Sequence, residues 1–374
     1  MTTSRPTLRD VAAAAGVSPM TASNALRGKT GVRESTRAKV LAAAKKLDYR
    51  INLTASMLKS GRSNIIHVIV NEFDSPFYSK LTQALSNEIV ARGLIPFIEQ
   101  TRYSADAATH ALTTNPFSGQ LFDGEIIHAW GLDAHVPVAA LNGGRPFVLV
   151  DACEETPTLD AVNFPNEEGE RAAAQLLIDH GCRNIAIVGH AFAERADLAH
   201  AQNAFGLRLR GACGAILDAG LPYDASTVFE AGSATDGITA GHAIARQILD
   251  ARSGNTDALP PFDGVCCAND YAAFGVIRGL ADHGIRVPQD VKVIGFDGVS
   301  CGSYATPSLS TVEVNLEQLA KYALDMLTAR IEHQANGGNE DGETLPPSRA
   351  TIGYRIVERE STATCPSECS AHAL

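Results

Sequence analysis

The chain has no apolar run approaching the ~20 residues needed to cross a bilayer. Stretches such as Ile65–Val70 are short and carry a histidine, His67. Its first ten residues lack the apolar core of an export signal, so a cytoplasmic location and no membrane partner are expected. Cysteine is sparse, eight in 374 residues. Its scatter argues for free thiols rather than a disulfide framework. Cys266 and Cys267 fall in a strand-like run and read as core, whereas Cys365 and Cys369 lie in a loose tail with His372. A three-residue gap between two such cysteines is weak evidence for a metal site. No phosphate-binding loop and no histidine pair at zinc spacing occurs, so no metal, no cofactor and no catalytic step is expected. Residues 361–374 also lack heptad periodicity and are expected to form a disordered tail, not a tetramerising coiled coil.

What is present is a strong asymmetry of charge. The formal net charge is −11, yet residues 1–62 hold twelve Lys or Arg against three acids. A basic head on an acidic body suggests that the head meets a polyanion while the body does something else. The length fits two or three domains, and a hydrophobic share of 45% is ordinary for a globular chain.

Within the head, Leu8, Val11, Ala12 and Ala15 recur at helical spacing, and Gly16 ends that helix with a turn that tolerates positive φ. Ser18 is placed to cap a second helix that opens on Pro19 and buries Ala22, Ala25 and Leu26. A third helix over residues 35–47 is expected to bury Val40, Leu41, Ala44 and Leu47 while showing Arg37, Lys39, Lys45 and Lys46 outward. Two short helices joined by a glycine turn and braced by a third describe a helix-turn-helix, whose second helix can enter the major groove of double-stranded DNA.

These residues carry a resemblance. The run Thr7-Leu8-Arg9-Asp10-Val11-Ala12, followed by Ala15-Gly16-Val17-Ser18, Thr21 and Ser23, resembles the headpiece of the LacI family of bacterial repressors. So do Thr36-Arg37-Ala38-Lys39-Val40 and Leu47-Asp48-Tyr49. The resemblance implies an all-α three-helix headpiece over 1–51, a hinge helix over 52–62 and a two-lobed α/β domain with parallel sheets over 63–360, similar to periplasmic binding proteins. It implies base reading by Pro19, Met20 and Asn24, and phosphate or positioning contacts by Thr7, Ser18, Thr21 and Ser23. Asn suits adenine where Arg would favour guanine. In the hinge, Asn52, Ala55 and Leu58 match the family's minor-groove segment, with Leu58 as the apolar wedge. The family also implies a homodimer on a pseudo-palindromic operator. Arg33 stands where a small polar residue often caps the third helix, which implies a weak cap.

The body alternates strand-like and helical stretches, the pattern of parallel sheets covered by helices. Strands are expected at 65–70, 94–99, 124–128, 147–150, 185–188, 264–268 and 291–296, too many for one small sheet. We divide them into an N-lobe (63–164 and 295–325) and a C-lobe (165–294 and 326–360). Asp151, Asn269-Asp270 and Asp297 follow strand ends, where open α/β sheets bind ligands. Asp270, opening a helix, reads as a cap. The resemblance extends through 264–312 and implies that Arg208 and Asp151 face a small effector. Arg208 can donate a fork of bonds, Asp151 and Asp297 can accept, and Asn269 can do both, which suits a sugar. Phe77, Tyr78, Phe164 and Trp130 could wall a ligand or simply pack in the core. Two alternatives stay open, a purine- or nucleoside-responsive corepressor-type regulator and a sugar-binding protein without a DNA role.

Overall fold

The computed structural model describes residues 6–26, 31–49, 62–113, 121–129, 144–154, 158–230, 237–250, 262–336 and 345–363. The chain divides into two compact units, Met1–Ser63 and Asn64–Leu374.

The first unit contains α1 (Leu8–Ala15), α2 (Pro19–Leu26) and α3 (Glu34–Lys46). Thr7 and Asp10 form a capping box at α1, and Gly16 leaves it at φ 67° in the left-handed region. Ser18 Oγ accepts from the Thr21 amide at 3.1 Å and so starts α2. The core is Val11, Ala12, Ala22, Ala25, Val40, Ala43 and Ala44. Small alanines let the helices approach closely. Leu41, expected inside, is 49% exposed, and Ala43 takes the inward position. Arg33 precedes α3 without a side-chain cap bond, in line with its missing short acceptor.

The second unit runs through β1 (Ile65–Val70), α4 (Pro76–Ala91), β2 (Ile95–Gln100), α5 (Ala105–Thr113), β3 (Gly124–His128), β4 (Phe147–Val150) and β5 (Asp160–Asn163). It continues through α6 (Asn166–Asp179), β6 (Ile185–Val188), α7 (Arg195–Leu198), α8 (Ala204–Asp218), β7 (Val228–Phe229), α9 (Gly237–Asp250), β8 (Gly264–Cys267) and α10 (Asp270–Asp282). Then follow β9 (Lys292–Asp297), a 3₁₀ turn (Ser300–Tyr304), β10 (Ser310–Val314), α11 (Leu316–Ala335), β11 (Arg349–Thr351) and β12 (Tyr354–Val357). One sheet has the order β11-β5-β4-β3-β1-β2 and the other β12-β10-β9-β8-β6-β7. Among the described residues all pairings are parallel except β10 with β12. No helix among the described residues is long and apolar enough to cross a membrane.

The division into lobes differs from the one drawn above. Residues 295–325 do not form part of the first sheet's lobe as a block: β9 pairs with β8 through Val265↔Val293, and β10 pairs with β9 through Val312↔Phe296. The first sheet instead receives α11, which packs on β3, β4 and β5, and β11, which pairs with β5. An apolar run satisfies either sheet equally well. Only the long-range pairing decides, and periodicity cannot report it. Residues 361 and 362, expected in the disordered tail, instead pack against the second sheet. Ser361 Oγ donates to the Val293 carbonyl at 2.6 Å and accepts from the Ser310 amide at 2.8 Å, and both Ser361 and Thr362 are fully buried.

Glycines permit a close helix crossing between α9 and α10 in the second lobe. A Cβ on Gly241 would lie 2.1 Å from the Ala272 carbonyl oxygen, and one on Gly275 would lie 2.1 Å from that of Ile238. Backbone meets backbone there, with no flexible side chain to yield. Gly275→Ala is therefore expected to destabilise the protein by roughly 2–3 kcal/mol, read as a lower urea midpoint at unchanged slope. An unchanged midpoint would show that α9 and α10 can separate at no cost.

Candidate functional site

On the headpiece, α2 turns its alanines inward and leaves Ser18, Pro19 and Met20 exposed, Met20 at 71%. Thr21, Ser23 and Asn24 are half-buried, and Met20, Ser23 and Asn24 share one face at helical spacing. Thr7 is exposed, with its hydroxyl donating to Asp10 Oδ2 at 2.7 Å. Ser18, Pro19, Met20, Thr21, Ser23 and Asn24 thus lie at the start and outer face of α2, and Thr7 caps the start of α1. Asn52, Ala55 and Leu58 lie outside the described residues, as do Trp130 and the Cys365–Cys369 pair.

In the second unit, a cavity of about 620 Å³ opens at the carboxyl ends of both sheets. Phe77, Tyr78, Asp151, Phe164, Arg208, Asn269 and Asp297 all line it. Six of these are delivered by element ends, Asp151 after β4, Asp297 closing β9, Asn269 after β8, Phe164 after β5, and Phe77 and Tyr78 on the first turn of α4, while Arg208 projects from the second turn of α8. Asp151 and Asp297 adopt positive φ, 64° and 117°. Left-handed backbone is costly for a residue with a Cβ and tends to persist at functional sites.

Arg208, buried on α8, is the centre of the polar network. Its Nε donates to Asn166 Oδ1 at 2.9 Å, and Asn166 Nδ2 donates to Asp151 Oδ1 at 2.8 Å. Arg208 Nη1 also donates to the Ala268 carbonyl and lies 3.8 Å from Asp297 Oδ1. The guanidinium stacks over the Phe296 ring at 3.8 Å. Because Asp151 follows a strand of the first sheet and Asn166 opens a helix packed on the second, this chain of bonds crosses from lobe to lobe. Burial pushes the Asp297 carboxyl well above its ordinary range, partly offset by Arg208.

Sequence reading missed several lining or supporting groups. Asn166, the link between Arg208 and Asp151, is hidden in a helix start that carries no signature. His128 and His190 both line the cavity, and each follows the strand-end logic that located Asp151. Asp270 is no cap. Asn269 caps α10, accepting from the Ala272 amide at 2.8 Å, whereas Asp270 is fully buried. It accepts from Thr311 Oγ1 at 2.6 Å and the Val299 amide at 2.8 Å, tying β9 and β10 to the helix. Gly298-Val299-Ser300-Cys301-Gly302 also fits the G-x-S-x-G pattern of a nucleophile elbow. Ser300 begins a 3₁₀ turn instead of an α-helix, is exposed, and bonds no histidine among the described residues, so the elbow's geometry is not met.

His128 Nδ1 faces the Asn71 side-chain amide at 3.3 Å, which suits a neutral ring that accepts there. Burial and then Arg208 lower its pKa from 6.5 to about 4, against an upward pull from Asp151. Unfolded protein then binds more protons than folded protein between these values. The contribution to stability is complete above pH 6.5 and is lost as pH falls through about 4. Side-chain NMR is expected to place the His128 midpoint near 4. A midpoint near 6.5 would show a hydrated ring.

Comparison with known proteins agrees with both units. Residues 7–52 match the bacterial regulatory proteins of the lacI family, and residues 174–362 match the periplasmic binding protein-like domain. The chain is 28% identical to catabolite control protein A of Priestia megaterium over 95% of this chain and 99% of that protein. It is 30% identical to the HTH-type transcriptional regulator CelR of Thermobifida fusca over 96% of this chain and 98% of that one. Among solved structures, a complex of the transcriptional regulator CelR with cellobiose is 27% identical, covers 96% of this chain and 100% of its own, and superposes with a TM-score of 0.64. A helix-turn-helix headpiece followed by a two-sheet, cavity-bearing sensor domain, matched along nearly the whole length, places this chain in the LacI family of bacterial transcriptional regulators.

Proposed function

We propose that the protein is a cytoplasmic homodimeric repressor, without a catalytic step, that binds a pseudo-palindromic operator and changes its grip when an uncharged sugar occupies the cavity. Each protomer contributes one headpiece. Pro19, Met20 and Asn24 read base edges while Thr7, Ser18, Thr21 and Ser23 position the helix on phosphates. Residues 52–62, read from sequence alone, supply the segment that orders against the minor groove, with Asn52 and Ala55 preceding the Leu58 wedge.

The observation that carries this reading is the Arg208–Asn166–Asp151 chain across the cavity. A ligand seated there competes for, or completes, the bonds that join the lobes, so its affinity differs between lobe arrangements and it shifts their populations. The charge of the lining selects the ligand class. Among the described residues the acids Glu72, Asp151 and Glu230 line the cavity with one guanidinium, that of Arg208, while burial favours the uncharged form of Asp297 and holds His128 and His190 neutral with help from Arg208. Such a lining repels a phosphate or carboxylate and suits neutral hydroxyls against aromatic walls. The likeness to a regulator solved with cellobiose points the same way.

The test is to select sites from randomised duplexes with the full-length protein and then titrate uncharged sugars at fixed salt. Selected sites are expected to be two-fold symmetric. Asn24→Ala should cost about 1–3 kcal/mol at one adenine-containing position. Arg208→Ala should keep operator binding and lose the sugar response. Loss of operator affinity with sugar marks an inducer, and gain marks a corepressor. A sugar that binds while operator affinity stays constant would defeat the coupling.

A further inference from the structure

The cavity holds a second polar group that the network around Arg208 does not use. His190 lies two residues beyond β6 and is 3% exposed. It is held there by Gly189, whose φ of 103° and 2.7 Å approach of a would-be Cβ to Ala268 Cβ leave no room for another residue. The ring packs edge-on against Phe205 with centroids 5.6 Å apart. Among the described residues, neither Nδ1 nor Nε2 has a hydrogen-bond partner of sound geometry. The Phe205 backbone lies close enough to favour protonation slightly, which at most occupies one nitrogen. A buried imidazole with an unmet nitrogen, lining a cavity, is an arrangement that a guest completes.

We propose that His190 is a specificity-determining contact that bonds one hydroxyl group of an uncharged effector. The inference rests on the reading of the cavity as the effector site and adds which residue there discriminates. Burial and then Arg208 bring the His190 pKa down to about 3, so the ring is neutral at physiological pH. A neutral imidazole has one donor and one acceptor, and a hydroxyl can answer either, whichever tautomer is present. A ligand lacking that hydroxyl leaves the nitrogen dry and unpaired, which is how a polar site rejects a deoxy analogue.

The experiment measures thermal shift and calorimetric affinity for wild type, His190→Ala and His190→Gln against glucose, cellobiose, ribose and adenine. The saccharide that binds is then tested as its series of monodeoxy analogues. His190→Ala is expected to weaken that saccharide roughly tenfold or more. One deoxy analogue should lose as much against wild type yet nothing further against His190→Ala, and His190→Gln should recover part of the affinity. The ligand-free Tm of His190→Ala should equal or exceed wild type, because an unmet buried ring is removed, whereas a structural role predicts a fall. Saccharide affinity within twofold of wild type in His190→Ala would overturn the His190 inference and leave the cavity reading standing. Binding of adenine alone, or of no compound, would overturn both.

Discussion

The molecule's proposed regulatory behaviour depends on one buried cation. Arg208 has few alternatives to the partners it holds: Asn166 on one nitrogen, the Ala268 carbonyl on another, Asp297 nearby and the Phe296 face beneath it. A desolvated guanidinium that lost these partners would be strongly unfavourable. The surrounding backbone therefore conforms to it. Strand ends carry left-handed aspartates, a helix start presents an asparagine amide in both directions, and neighbouring imidazoles stay uncharged. Each of these is a local cost accepted in exchange for a preorganised set of donors and acceptors.

Behind the cavity wall lies a second layer of buried acids. Asp270 and Glu170 are fully buried there, and burial raises both carboxyls to about 7. Asp270 is anchored by Thr311 and the Val299 amide, and Glu170 accepts from the Cys266 thiol at 3.3 Å. These acids link helices to the second sheet. They sit on the protein side of the wall, where a change in their protonation would be felt by packing before it was felt by a ligand.

Much of this was legible in the amino-acid order. Gly16, Ser18 and the alanines of the headpiece are local signals, and a turn, a cap and a helical period act over a few residues. The strand-end positions of Asp151, Asn269 and Asp297 were equally readable, because alternation of strand and helix locates the carboxyl edge of a sheet. What could not be read was long-range. Whether Val293 and Val312 join one sheet or the other depends on partners far along the chain. Asn166 looks like any residue after a proline until Arg208 folds onto it. Leu41 was misplaced because its apolar character fits a helical face that turned out to be solvated, and Ser361 because a polar residue near a terminus carries no mark of burial.

The chain passes between the two sheets after β5, after β10 and again between β11 and β12. Neither lobe is therefore a continuous stretch of polypeptide. Three covalent tethers side by side behave like the leaves of a flexure bearing, compliant about one axis and stiff against shear or separation. It also means that no single cut yields an intact half. A chimaera that exchanged one cavity wall for a relative's would need three splice points, so specificity in this architecture is more readily altered one side chain at a time than by recombining segments.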